Sequence, residues 1–316
     1  MTLALSAIIC THNPREEVFA ETLAALRAQD LAPGLWELIV VDNASGVPLA
    51  GRLDVAGFGA ARIVREERLG LTHARIRGFR EARGETLVYI DDDNVLDAGY
   101  LRLALDALRG DPRLGAVGGR SIPRYEVPPP AWFAGLGIDL ACRDLGDRPL
   151  FADWTGLAPA ERTYPVCAPI GAGMAIRRDA YGAYLEAAGA DPVRTALGRR
   201  GSDLASGEDN DMILSLLGAG WTVAYLPQLR LEHLIPAGRL RPDYLARYAY
   251  SSNRTWVQVL NVHGMRPWPP AAPWSTGLRK ARAWLACRAW RGQADRIRWR
   301  SACGLIDGRA LLEPRA

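Results

Sequence analysis

Short apolar runs alternating with amphipathic stretches dominate roughly the first 120 residues, and this alternation leaves few folds open. Runs at Ala4–Cys10, Glu37–Val41, Ala61–Arg65, Thr86–Ile90 and Gly115–Gly119 are bounded by turn or polar residues and have strand length. Between them, Glu16–Gln29 carries Val18, Leu23 and Leu26 at near-helical spacing, and Leu71–Arg83 and Tyr100–Leu108 repeat the pattern. Strand and helix in turn predict right-handed crossovers and a largely parallel sheet covered on both faces. Ligands of such sheets bind at the carboxyl ends of the strands.

After Ser121 the pattern loosens. Pro123 and Pro128–Pro130 mark an extended linker, and no clear period returns before Pro165. The sequence then predicts a strand over Cys167–Arg177, a helix from Asp179 to Ala188, and a long basic loop over Gly189–Gly207 carrying Arg194, Arg199 and Arg200. A helix over Glu208–Leu217, two strands at Thr222–Leu226 and Leu229–His233, and a helix over Pro242–Val262 complete the reading. The expected division is 1–120 and 121–240 as two halves of one domain, with 241–316 as C-terminal helices.

Composition narrows the function classes. The 316 residues include 39 Lys+Arg against 35 Asp+Glu, a net charge too small to signal nucleic-acid binding. The opening MTLALSAIIC lacks the basic start and cleavage site of a secretory signal, and no stretch reaches the ~20 apolar residues of a membrane helix. Five scattered cysteines without a CxxC pair read as reduced thiols, so a cytoplasmic location is expected. From Trp274 onward the chain holds ten basic and three acidic residues and four of the ten tryptophans. Such a tail can lie on the inner face of an anionic membrane as a peripheral contact, or dock its Trp face on the protein with its arginines in solvent.

Asp91-Asp92-Asp93-Asn94 follows the apolar strand ending at Ile90. If the segment is extended, Asp91 and Asp93 share one side. Two carboxylates ~4 Å apart repel by roughly 4 kcal/mol at an effective dielectric of 20, and a hard divalent cation such as Mg²⁺ or Mn²⁺ offsets that. A solvated turn before the next helix is the other reading. Glu208-Asp209-Asn210-Asp211 opens a helix after Ser206-Gly207, where a capping box and the helix dipole account for the acids; the same features hold Asp209 ionised and directed, as a general base requires. His233 ends a strand and is either structural or a further metal ligand. Gly171-Ala172-Gly173 suits a tight turn or close approach to a ligand. Thr11-His12-Asn13 and Asp42-Asn43 stand where a doubly wound sheet binds ligand, and turn chemistry explains each singly.

Six segments in order resemble the family 2 glycosyltransferases of GT-A fold: Ala7–Asn13, Leu38–Ser45, Gly70–Arg75, Gly84–Asn94, Gly171–Arg178 and Ser206–Asp209. The resemblance implies a Rossmann-like three-layer α/β/α sandwich with a mainly parallel mixed sheet and a C-terminal helical tail. It also implies inverting transfer of a sugar from a nucleotide diphosphate, UDP by analogy, to a hydroxyl of a glycan, a lipid-linked or a small-molecule acceptor, as in polysaccharide biosynthesis. Carried over residue by residue, Thr11, Asn13, Asp42 and Arg75 line the nucleotide pocket. Asp91 and Asp92 lie by the donor, Gly171 and Gly173 shape the sugar pocket, Asp93 and His233 hold Mn²⁺ or Mg²⁺, and Asp209 is the base. Glu208 is a candidate acceptor or diphosphate contact, and charge and length alone, not the resemblance, make the loop Arg194–Arg200, with Arg199, Arg200 and Arg239, a candidate to close over the diphosphate. One departure stands out: the Asn usual after Ala-Arg is Ile76 here. A sugar nucleotidyltransferase would need a Gly-rich loop after the first strand, and Cys10–Glu17 has no glycine. A dehydrogenase would need GxGxxG there. A non-catalytic nucleotide-binding relative is disfavoured because Asp91, Asp93 and Asp209 are all present.

Overall fold

A computed structural model describes residues 3–313. In chain order the elements are β1 (Leu5–Thr11), α1 (Glu16–Arg27), β2 (Trp36–Asn43), β3 (Ala61–Glu66), α2 (Leu71–Glu81), β4 (Thr86–Ile90), β5 (Asn94–Leu96), α3 (Tyr100–Gly110) and β6 (Leu114–Tyr125). They continue with β7 (Leu150–Ala152), β8 (Ala175–Arg177), α4 (Arg178–Ala188), α5 (Pro192–Thr195), α6 (Glu208–Gly218), β9 (Thr222–Ile235), α7 (Pro242–Val262), α8 (Thr276–Ala286) and α9 (Gln293–Ala310). Two compact units result. Among the described residues, one holds the chain as far as Arg124, with Ala141–Asp191 and Met212–Leu234; the other holds Tyr125–Leu140, Pro192–Asp211 and the chain from Ile235 to Glu313.

The first unit is built on one sheet of order β3-β2-β1-β4-β8-β6-β9-β5, with β7 paired to β9. Its β3-β2-β1-β4 portion is parallel, and the pairings β4–β8, β6–β8, β5–β9 and β7–β9 are antiparallel. Side chains of β1 alternate between two covered faces, as the pleat requires. Leu5, Ala7 and Ile9 join Phe19, Leu23 and Leu26 of α1 and Leu101, Leu105 and Leu108 of α3 in one core. Ile8 points the other way, toward Gly78 of α2, where an added Cβ would lie 2.5 Å from Ile8 Cγ2. Tyr89 continues that face against Tyr181 of α4, ring centroids 5.6 Å apart.

Three expectations are corrected. The strand foreseen over Cys167–Arg177 is only Ala175–Arg177. Pro169 has no N–H to give a ladder, and Gly173 takes φ 76°, so the segment before β8 is irregular. The two strands foreseen around Pro227 are one, β9. Pro227 is tolerated because β7 pairs only as far as Tyr225 and β5 only from Leu231, leaving no partner strand among the described residues on that edge to need its donor. The loop Gly189–Gly207 contains the single turn α5.

In the second unit α7 packs along α9. Gly304 and Gly308, one turn apart on α9, meet the Tyr250 carbonyl and the Val257 side chain, and an added Cβ at Gly308 would sit 2.9 Å from Val257 Cβ. Absent side chains let the two helices approach, burying Leu245, Ala249, Val257 and Leu260 with Ile297 and Cys303.

Candidate functional site

The carboxyl ends of the parallel strands gather most of the polar residues singled out in the sequence. Asp42, the last residue but one of β2, is 1% exposed. Its carboxylate accepts from the Ser45 N–H at 3.0 Å, the Leu49 N–H at 3.0 Å, Arg65 Nη1 at 2.9 Å and the Ser45 hydroxyl. Burial pushes its pKa up, but these four donors outweigh that and hold it below the ordinary aspartate value. The four acceptor positions of Asp42 are used by Ser45 and Leu49 of the loop that follows it and by Arg65 of β3. Ser45 in turn accepts from the Asn13 N–H at 2.9 Å, and Asn13 Oδ1 accepts from the Gly46 N–H at 2.9 Å, so the two strand ends are laced together. Asn13 stands at φ 51°, a left-handed position that Asn tolerates.

Asp91–Asn94 is not extended. The Asn94 N–H donates to the Asp91 carbonyl at 3.1 Å, and Asn94 Oδ1 accepts from the Asp91 N–H at 3.1 Å, closing a turn. Each carboxylate finds its own partner, and this offsets the repulsion foreseen between them. Asp91 Oδ1 lies 4.0 Å from Arg75 Nη2. Arg75 is buried and sits over the Tyr89 ring, 5.3 Å from its centroid. Asp92 accepts from the Thr11 hydroxyl. Asp93, 6% exposed, places Oδ1 3.2 Å from Nε2 of His233, 2% exposed.

Strand register makes that last contact. β5 pairs with β9 so that Asn94 faces His233, and the Leu234 N–H donates to the Asp93 carbonyl at 2.8 Å. Residues 140 positions apart are therefore fixed side by side by backbone hydrogen bonds. His233 Nδ1 faces the Ala141 carbonyl at 3.4 Å. With its proton there, Nε2 offers a lone pair beside a carboxylate oxygen. Two such acceptors in contact need a proton or a cation between them, and a backbone carbonyl on the far nitrogen is the usual orienting partner of a metal-bound histidine. Neighbouring ligands of an octahedral cation at 2.0–2.1 Å stand ~3 Å apart, close to the separation seen. A carboxylate oxygen with an imidazole nitrogen suits Mn²⁺ well, and Mg²⁺ through its oxygen. Among the described residues no group of three or more His, Cys, Asp or Glu side chains converges on one point. The pair thus fits a cation that takes its remaining ligands from water and phosphate.

Gly171 and Gly173 are buried, and Gly173 combines φ 76° with a hydrogen bond from the Tyr100 hydroxyl to its carbonyl at 2.7 Å. An added Cβ there would lie 2.5 Å from Tyr100 Oη and 2.6 Å from Leu231 Cδ2, so no other residue fits.

The second unit holds Glu208, Asp209, Arg199, Arg200 and Arg239. Glu208, Asp209 and Asp211 occupy the first turn of α6, where the helix dipole favours negative charge. Asp209 belongs to a charged cluster around Tyr248 of α7 that includes Asp139 and Arg199. Burial, with Asp139 and Asp209 adding to it against Arg199, pushes the Tyr248 hydroxyl up to about 12, so it stays protonated as a donor. Arg199 is half-buried, Arg200 exposed, and Arg239 lies in the short helical turn Ala237–Leu240.

Sequence reasoning missed the group that braces this turn. Asp211, fully buried, accepts from Arg194 Nε at 3.1 and 3.0 Å, pairs with Arg194 Nη2 at 2.9 Å and contacts His263 Nε2 at 2.7 Å. Arg194, read in the sequence as part of a long basic loop, is a buried anchor whose guanidinium meets Asp211, whereas Arg199 of the same segment is half-buried and Arg200 exposed. Only the position of Asp211 on the inner side of an otherwise acidic first turn hinted at this.

The family described as Glycosyl transferase family 2 matches residues 6–185. A glucosyl-dolichyl phosphate glucuronosyltransferase of Haloferax volcanii is 24% identical over 254 residues, covering 77% of this chain and 73% of the relative. Polypeptide N-acetylgalactosaminyltransferase 5 of Caenorhabditis elegans is 34% identical over 113 residues, 34% of this chain and 18% of that protein. Among solved structures, S. aureus TarS 1–349 superposes with a TM-score of 0.50 at 13% identity, over 97% of this chain and 90% of that one. GalNAc-T7 with UDP, GalNAc and Mn²⁺ superposes with a TM-score of 0.56 at 16% identity, over 97% of this chain and 55% of that one. These likenesses establish the fold as GT-A: a mixed sheet with helices on both faces, followed by C-terminal helices.

Proposed function

From the premise that the chain belongs to glycosyl transferase family 2 and is a glycosyltransferase, we propose that it moves a sugar from a UDP-linked donor to an acceptor hydroxyl, with inversion at the anomeric carbon. The observation that carries the donor half is the buried Asp93–His233 pair at 3.2 Å, at the end of the sheet where nucleotides bind. UDP with Mn²⁺ in GalNAc-T7 supports both the nucleotide and the cation. The name of the Haloferax relative favours a lipid-linked acceptor over a free glycan or small molecule.

In this reading Asp93 and His233 hold Mn²⁺ or Mg²⁺, whose chemistry when bound is to neutralise the leaving diphosphate as a Lewis acid. Thr11, Asn13 and the loop organised by Asp42 form the nucleotide pocket. Arg75 draws its charge close to Asp91, and Thr11 fixes Asp92 beside the donor. The backbone at Gly171–Gly173 forms the wall of the sugar pocket. Asp209 takes the proton from the acceptor hydroxyl as that oxygen attacks in line. Glu208 orients the acceptor, and Arg199, Arg200 and Arg239 neutralise phosphate charge and limit water around it.

Nucleotide release from a panel of UDP-, GDP- and TDP-sugars in Mn²⁺ tests the proposal. Release from UDP-sugars is expected. Asp209→Asn should lower kcat on the order of 10²–10⁴-fold while the UDP affinity holds. No release from any donor, or an Asp209→Asn variant that turns over like the wild type, would sink it.

A further inference from the structure

The C-terminal helices divide their tryptophans between two environments. α8 is pinned to α9 by one side: the Trp284 and Trp299 rings meet edge to face at 4.8 Å, Lys280 Nζ pairs with Asp307 Oδ1 at 2.7 Å, and Trp299 Nε1 donates to the Lys280 carbonyl at 3.0 Å. That side accounts for the docking of the helix. The opposite side is apolar and uncovered: Trp274 is 86% exposed, Leu278 56%, Leu285 64% and Trp290 58%. Positions 274, 278 and 285 recur at helical spacing, so Trp274, at the turn leading into α8, and the two leucines form one stripe, with Trp290 just beyond the helix.

Charge states what covers it. From Tyr244 to Ala294 the sequence has eight Lys or Arg and no Asp or Glu. Arg282 and Arg288, both exposed, flank the stripe. A second copy of this face would bring like charge against like charge, which opposes self-association. A nucleic acid would meet the arginines and leave the leucines unused. Tryptophan and leucine with arginine beside them match the boundary between anionic headgroups and acyl chains. No helix of the described residues is long and apolar enough to cross a membrane, so the contact would lie on the surface.

We propose that the exposed face of α8, from Trp274 to Trp290, is a docking surface for an anionic phospholipid bilayer. Trp274, Leu278 and Leu285 enter the headgroup boundary, and Arg282 and Arg288 meet the phosphates. The proposal does not depend on the transfer reaction, and its test uses neither donor nor acceptor.

The full chain is sedimented with vesicles of phosphatidylcholine alone and of phosphatidylcholine with one third phosphatidylglycerol. Expected are binding to the anionic vesicles only, weakening with added salt, and loss on the order of tenfold or more in each of two double variants, Trp274→Ser with Leu285→Ser and Arg282→Glu with Arg288→Glu. All four positions are exposed, so melting temperatures should stay at the wild-type value and separate lost docking from lost folding. Equal binding to both vesicles, no binding to either, or undiminished binding by both variants would overturn the proposal. So would a wild-type dimer in ultracentrifugation that the apolar variant dissolves, because a second copy would then be the occupant.

Discussion

Asp211→Ala removes a buried carboxylate that meets both Arg194 and His263. The Arg194 side chain is only 9% exposed and the Asp211 side chain 0%, so truncation leaves a guanidinium buried with its three contacts to Asp211 gone. Breaking a buried pair from one side typically costs 3–5 kcal/mol, and a chain of this size loses about 2 °C in Tm per kcal/mol. Thermal denaturation should therefore show a fall of about 6–10 °C. His263→Ala, which removes one hydrogen bond and leaves the ion pair, should cost about 1–3 kcal/mol. The double variant Arg194→Ala with Asp211→Ala should be less damaged than the sum of its singles by about 0.5–3 kcal/mol, because the second change removes the charge the first stranded. An Asp211→Ala protein melting within about 2 °C of the wild type would refute this reasoning, as would strict additivity.

Other consequences can be measured on the same footing. Gly173→Ala should melt lower by the equivalent of about 1–3 kcal/mol for left-handed strain alone, with the 2.5 Å approach to Tyr100 Oη adding to it; a wild-type melting curve would contradict the φ of 76°. Glu37 is buried, which pushes its carboxyl up, but Arg62, Ser6 and the Arg83 N–H hold it below the ordinary glutamate value of 4.5. Its contribution is therefore full above pH 4.5 and is lost as pH falls through the lower folded-state value. Denaturant midpoints measured from neutral to acid pH should fall below that point, and more shallowly in Glu37→Gln; an identical acid limb in the variant would exclude the assignment.

Periodicity in the first third of the chain carried β1 to β4 and α1 to α3 with ends shifted by only a few residues, because β1, β2 and β4 are buried on both faces and read as continuous apolar runs; it missed the three-residue β5 and stopped β6 six residues short of Tyr125. It failed where local sequence and tertiary context part company. Pro227 looked like a break and is not one, since no partner strand among the described residues asks for its missing donor. Cys167–Arg177 looked like a strand and is mostly irregular, since Pro169 and Gly173 interrupt the ladder. In the candidate site, Asp93 and His233 were both visible as residue types, but their contact depends on a three-residue ladder between β5 and β9 that no local pattern announces. The turn at Asp91–Asn94 was hidden for a related reason: its conformation is set by the Asn94 side chain, which hydrogen-bonds back to Asp91. Arg194, Asp211 and His263 come from three separate elements and left almost no sequence signal. The tail left both of its readings open, and the structure divides them, with Trp284 and Trp299 docked and Trp274 and Trp290 exposed.

In the proposed reaction Asp93 and His233 hold a divalent cation together with a nucleotide diphosphate. A thermal-shift titration with UDP, in Mn²⁺ and in EDTA, on the wild type, Asp93→Ala and His233→Ala tests it most directly. UDP at a hundredfold its Kd stabilises by about 2.7 kcal/mol, a rise of about 5 °C in a chain of this size. That rise is expected in Mn²⁺, with none in EDTA, none in Asp93→Ala and a reduced rise in His233→Ala. An equal rise in EDTA, or an Asp93→Ala protein stabilised by Mn²⁺ and UDP as much as the wild type, would contradict the proposed cation site.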